Sequence, residues 1–275
     1  MHSNNNFTAI LITGAAGGLG QALVYASLSL DDVDYIIATD LHDKLPEQFK
    51  GLDNILYYRM DVRSEKSIRR VKKELDLKEI TIKYLINNAG ANFFYPISES
   101  TEELLDSVLK VNLYGPVLTV SSFLDHLAKK KGRVVQISSD AARLPIPFHP
   151  YPSSKIALEA FSISMRRELK LLGCDLILIR PGAIQTQLVE NMKSMRSEIK
   201  SSKFNKWFYK FSKLAKENIG KTVQPEEVAN LVIKVLTAKK PKQLYHINKN
   251  KQVSFFSYFP EKKKDKLIIK NLKTH

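Results

Sequence analysis

The chain has 275 residues, 44% of them hydrophobic and 9% aromatic, which suits one large α/β domain or two small ones and excludes wholesale disorder. No apolar run reaches the roughly 18–20 residues that cross a bilayer, no secretory signal pattern opens the chain, and a lone cysteine, Cys174, excludes an internal disulfide; a cytoplasmic setting is expected. The formal charge of +15 would attract polyanions, but no nucleic-acid motif accompanies it, so a solvated basic surface is expected and a nucleic-acid partner is not.

Thr8–Thr13 reads as the first strand and Leu19–Leu30 as the first helix. Between them lies Thr13-Gly14-Ala15-Ala16-Gly17-Gly18-Leu19-Gly20, a turn tight enough to bring backbone N–H groups to a pyrophosphate at the helix N-terminus. Tyr35–Asp40 is the second strand, with Asp40 twenty positions after Gly20. A carboxylate there accepts hydrogen bonds from adenosine ribose and repels a 2′-phosphate, and Leu41 follows where a basic residue would meet one. The cofactor expected is therefore NAD rather than NADP, with His42 and Lys44 as the residues that could soften the preference.

Further strands are expected at Ile55–Asp61, Tyr84–Asn87, Arg133–Ser138, Asp175–Arg180 and Gln243–Ile247. Helices are expected at Glu65–Leu75, Glu102–Leu127, Ser153–Leu172 and Pro225–Thr237. Runs such as Leu176-Ile177-Leu178-Ile179 are apolar on both faces, as strands buried in a parallel sheet are. Strict alternation with helices predicts a single-domain α/β Rossmann fold, a doubly wound, seven-stranded parallel sheet flanked by helices. Its core spans about residues 8–247, with a C-terminal extension 248–275.

Tyr151-Pro152-Ser153-Ser154-Lys155 places a phenol and an ammonium four apart, on one helix face. A neighbouring cation, joined by the positive nicotinamide ring of NAD+, would lower the phenol from its free value near 10. Tyr151 could then take a proton as hydride leaves an alcohol, or return it to a carbonyl. Ser139, selected by the alternation of side chains along the strand, would hydrogen-bond the substrate oxygen, and Ser138 beside it is the alternative. No histidine shows metal-ligand spacing, and no metal is expected.

With these motifs the sequence resembles the short-chain dehydrogenases/reductases, through Thr-Gly-x-x-x-Gly-x-Gly, Asn87-Asn88-Ala89-Gly90, Val111-Asn112-Leu113, Ser139, Tyr-x-x-x-Lys and Pro181-Gly182, in that order. The resemblance implies that Asn88, Ala89 and Gly90 shore up the cofactor site and that Asp61 and Val62 contact adenine, Asp61 being equally readable as part of a helix N-cap. It implies that Ile184 and Thr186, after Pro181-Gly182, meet the carboxamide, and that Lys155 holds the nicotinamide ribose. Asn112 would position a water linking Lys155 to solvent. It further implies a homodimer or homotetramer formed through the long helices around 102–127 and 153–172.

Phe204, Trp207, Phe208, Phe211 and Leu214 form one helical stripe, with Lys203, Lys206, Lys210, Lys213 and Lys216 on the remaining positions. Three readings are open: a helix packed on its own domain, the substrate lid over about residues 187–222 that the resemblance implies, or a basic helix resting on an anionic membrane. The aromatic stripe and the loop Leu144–Pro150 suggest a lipophilic substrate, and the 258–266 tail loosely resembles extensions of short-chain enzymes acting on steroids, retinoids and similar lipids, which implies a steroid-, retinoid- or acyl-like one. The function expected is interconversion of a secondary alcohol and a ketone. The alternative is a non-catalytic nucleotide sensor or membrane-surface protein.

Overall fold

The computed structural model describes residues 6–187, 189–190, 198–217 and 220–273. Seven strands form one parallel sheet: β1 (Phe7–Thr13), β2 (Tyr35–Asp40), β3 (Ile55–Arg59), β4 (Ile80–Asn87), β5 (Arg133–Ile137), β6 (Asp175–Pro181) and β7 (Leu244–Ile247). Their order is β3-β2-β1-β4-β5-β6-β7. The helices are α1 (Gly18–Ser27), α2 (Glu65–Leu77), α3 (Glu102–Leu109), α4 (Gly115–Ser122), α5 (Leu124–Lys130), α6 (Pro150–Leu171), α7 (Asn205–Glu217), α8 (Pro225–Thr237), α9 (Lys251–Ser257) and α10 (Glu261–Lys273).

The sheet is covered on both faces, and β1 shows why the run Ala9–Ile12 is apolar without a break. Ile10 and Ile12 join a core with α1 and α8, whereas Ala9 and Leu11 join a second core with α2, α4 and α5. A strand between two helical layers has no wet side, so period-two alternation disappears. The order reverses direction beside β1, which pairs with both β2 and β4. A parallel sheet of this kind opens a crevice at the C-terminal ends of the strands at such a point.

The helix expected over Glu102–Leu127 is interrupted. A π turn spans Lys110–Tyr114, in which Gly115 donates to Lys110 five residues back. Pro116 supplies the cause: it has no N–H for the carbonyl of Asn112, and its ring crowds that carbonyl. A second break falls at Phe123, between α4 and α5. Other ends shift modestly: α1 stops at Ser27, β3 stops at Arg59, and α6 starts at Pro150, whose fixed φ suits a first helical position.

The expected aromatic stripe lies on α7 and packs inward. Phe208 and Phe211 are buried with Phe148, against Phe94, Ile146, Phe204, Trp207 and Leu272. The stripe thus closes on its own chain, and the lysine-bearing side of α7 is the outer one. Part of the expected lid, residues 188, 191–197 and 218–219, lies outside the described residues.

Candidate active site

A cleft of about 850 Å³ runs along the C-terminal ends of the strands. Gly14, Gly18, Leu19, Gly20, Asp40, Leu41, Asp61, Val62, Asn88, Ala89, Gly90, Ser139, Tyr151, Lys155, Pro181, Gly182, Ile184 and Thr186 all line it. Asn112 is the one expected site residue outside its lining.

The cofactor half is built by close approach of backbones. Gly14 has φ +66, and a Cβ there would lie 2.8 Å from the Ala89 Cα; one on Gly20 would lie 2.0 Å from the Gly14 carbonyl oxygen. The N-cap of α1 is Gly17, and no side chain caps the helix. Its first-turn N–H groups and positive end are thus offered to an anion. Asn88 Nδ2 donates to the carbonyls of Thr13 (3.0 Å) and Gly14 (3.1 Å), tying the end of β4 to the turn. Asp40 Oδ2 accepts from the Ala16 N–H at 2.9 Å and Oδ1 from that of Leu41 at 2.7 Å, so this carboxylate braces the turn as well as facing the cleft. Asp61 pairs with Arg63 at 2.8 Å, which holds its carboxyl below the usual range; the N-cap of α2 is Ser64 instead. The side chains present therefore fit a dinucleotide, with Gly14–Gly20 for the pyrophosphate and Asp40 for the ribose.

The reacting half is set by β5 and α6. Tyr151 lies in the first turn of α6, and Lys155 one turn on is 3% exposed, its Nζ donating to the Ile137 carbonyl at 2.9 Å. The Nζ sits 5.7 Å from the Tyr151 ring centroid. Strand alternation separates the two serines. Ser139 lies against the Tyr151 hydroxyl and accepts from the Ala141 N–H at 3.1 Å. Ser138 also lines the cleft, but its hydroxyl donates to Glu159 at 2.5 Å, in a buried cluster where Arg180 also holds Glu159.

Protonation departs from the sequence expectation. Burial pushes the Tyr151 phenol up to about 12, with Ser139 opposing, while burial pulls the Lys155 ammonium down to about 8. Lys155 is bound to a carbonyl and faces the ring rather than the hydroxyl, so it does not bring the phenol down in the protein alone. Asn112 also differs in its contacts. Its Oδ1 accepts from the Ala91 N–H (2.8 Å), and its Nδ2 donates to the Ala91 carbonyl (2.8 Å) and the Ser154 hydroxyl (2.9 Å). The side chain is fully engaged as a tie between the π turn, the loop after β4 and α6.

His149 was not among the expected site residues. It is 5% exposed, lines the cleft, stacks between Phe94 (4.2 Å) and Tyr151 (5.7 Å), and meets Asn92 Oδ1 through Nε2 at 2.8 Å. Its place two residues before Tyr151 was the available signal. Burial holds its imidazole down at about 3. Below pH 6.5 the unfolded chain takes up a proton that the folded one refuses, so stability falls on acidification between about 6.5 and about 3. The slope is about 1.4 kcal/mol per pH unit for one proton. His149→Phe is expected to flatten that part of the stability–pH curve in urea titrations, and an unchanged slope would contradict it.

The fold and cleft define a dinucleotide-linked oxidoreductase. Residues 8–197 match the family model described as short chain dehydrogenase, and the chain belongs to that family, acting on CH–OH groups. It is 30% identical to an NADPH-dependent 3-dehydrocapnine reductase of Ornithobacterium rhinotracheale, over 96% of each chain. It is also 30% identical to the mitochondrial D-beta-hydroxybutyrate dehydrogenase of Rattus norvegicus, over 86% of this chain and 76% of the relative. A short-chain dehydrogenase from Streptomyces avermitilis shares the fold with a TM-score of 0.73 at 20% identity, covering 96% of this chain and 94% of its own. A 4-hydroxyisoleucine dehydrogenase in complex with NADH does so at 0.72 and 21%, covering 88% and 98%.

Proposed function

We propose that the protein interconverts a secondary alcohol and a ketone on a lipophilic substrate, using NAD(H), with Tyr151 as the general acid and base. The observation that carries this reading is the convergence of Tyr151, Ser139 and Lys155 in a cleft continuous with the Gly14–Gly20 turn. The bound dinucleotide would supply or accept the hydride. In the reducing direction the Tyr151 hydroxyl, held protonated by burial, donates to the carbonyl oxygen while Ser139 fixes that oxygen. Lys155 would hold the nicotinamide ribose, and its ammonium, joined by the positive nicotinamide ring of the oxidised cofactor, would stabilise the phenolate left behind. Asn112, tied to Ala91 and to Ser154 of α6, braces the helix that carries Tyr151 and Lys155. Phe94, Leu144, Ile146 and Val253 on the cleft wall support an apolar substrate body. The test follows NADH absorbance across a panel of ketones with graded apolar chains; turnover confined to short, polar ketones would reject the lipophilic assignment.

Asp40 supports NAD(H), and Arg63 beside the adenine end is already paired to Asp61. Asp40→Asn keeps an acceptor for the Ala16 N–H and removes the charge. It is expected to improve NADPH use relative to NADH about tenfold. An unaltered ratio of kcat/KM values would remove Asp40 from cofactor choice. Assembly as a homodimer or homotetramer is part of the same reading, supported by Leu124 (38% exposed), Phe161 (50%) and Ile163 (37%) on α5 and α6.

A further inference from the structure

The charge of this chain is not spread evenly. Residues 198–217 and 249–273 hold fourteen lysines, no arginine and four acids, which is ten of the fifteen net positive charges. They build α7, α9 and α10, which gather at the mouth of the cleft. Ala215 of α7 and Val253 of α9 line the cleft, and Leu272 of α10 packs into the aromatic cluster beside α7.

Each of these helices turns a mixed basic and apolar face outward. On α7 it is Lys206, Tyr209 (52% exposed) and Lys213. On α9 it is Lys251, Phe255 (69%) and Tyr258 (78%). On α10 it is Lys262, Lys266, Ile269 (50%) and Lys273. The spacings of three, four and seven put each set on one helical stripe. Among the described residues these lysines form no ion pair, whereas Lys264 on the inner side is bound to Glu261 at 2.7 Å.

We infer that this surface docks the protein on a bilayer bearing anionic phospholipids, with the mouth of the cleft toward the lipid. Unpaired ammonium groups beside exposed aromatic and aliphatic side chains match a headgroup layer, where charge meets phosphate and rings enter the interface. The absence of arginine argues against nucleic acid as the occupant, since bidentate guanidinium contacts dominate phosphate and base recognition there. The surface extends the proposed function: a lipophilic substrate would pass from bilayer to cleft without crossing water. Docking itself does not depend on which substrate is turned over.

The test is co-sedimentation of the full chain with phosphatidylcholine vesicles, with and without one-third phosphatidylglycerol. Binding to the anionic vesicles is expected to exceed that to phosphatidylcholine at least about tenfold and to weaken with salt. Lys262→Glu/Lys266→Glu/Lys273→Glu should abolish it. Phe255→Ser/Tyr258→Ser, which leaves the charge intact, should weaken it about tenfold by removing apolar contact. Circular dichroism and NADH fluorescence are expected to be unchanged in both variants, so loss of docking is distinguishable from loss of the fold or the cofactor site. No preference for anionic vesicles would overturn the inference. So would binding that is indifferent to the Phe255/Tyr258 pair and competed away by duplex DNA, which would mark simple polyanion attraction.

Discussion

Tyr151→Phe is expected to lower kcat about 10²–10⁴-fold, the range of a single general acid–base group, while the Kd for NADH changes little. The substitution removes one oxygen and keeps the ring that stacks on His149 at 5.7 Å and lies beneath Lys155. The pH profiles of the two directions should also part. Reduction needs the protonated phenol, which burial holds up to about 12 in the protein alone, so its rate is expected to stay level upward from neutral pH. Oxidation needs the phenolate, so its rate should rise with pH. Full turnover by the phenylalanine variant against a confirmed substrate, with isothermal titration showing intact NADH binding, would remove Tyr151 from the chemistry.

Gly20→Ala is the second substitution with a large expected effect. The new methyl would stand 2.0 Å from the Gly14 carbonyl oxygen and 2.7 Å from the Ala15 Cα, both backbone atoms that no rotamer change can move. The turn and α1 must separate, and NADH affinity should fall about 100-fold, ~2.7 kcal/mol, together with Tm. Gly17 provides the contrast. Its backbone is extended, and a Cβ would meet the Gly14 carbonyl at an ordinary 3.5 Å. Gly17→Ala should stay within about 1 kcal/mol of the parent in stability. Equal losses in the two variants would show that turn flexibility, rather than close approach, is what the glycines provide.

How much of this is legible in the sequence depends on the range of the interactions. The strands were readable because a sheet covered on both faces demands uninterrupted apolar runs, and the parallel order followed from their alternation with helices. The placement of Ser139 beside Tyr151 and of Ser138 beside Glu159 follows from strand alternation, a local rule. The break in the helix at 110–123 had one local cause in view, Pro116, but its other support is the pair of bonds between Asn112 and the Ala91 backbone, twenty-one residues away. The upward push on the Tyr151 phenol and the downward push on the Lys155 ammonium in the protein alone depend on burial by the whole cleft, which no local pattern reveals. His149 and the outward faces of α9 and α10 carry no motif. Each became visible only through what surrounds it.

The sheet order has a consequence for how the protein is made. Translation produces β1 first, yet β1 occupies the middle of the sheet and pairs with β4, whose Leu85 and Ile86 come more than seventy residues later. Gly18 and Thr186, 168 positions apart, must come close enough that a Cβ on the first would lie 3.2 Å from the second. One edge of β1 therefore stays unpaired until β4 is made, and the cleft closes only once Thr186 has joined Gly18. Such long-range pairing makes folding slow and leaves the early chain prone to aggregation, so production of this protein should depend on chaperone capacity more than its native stability would suggest.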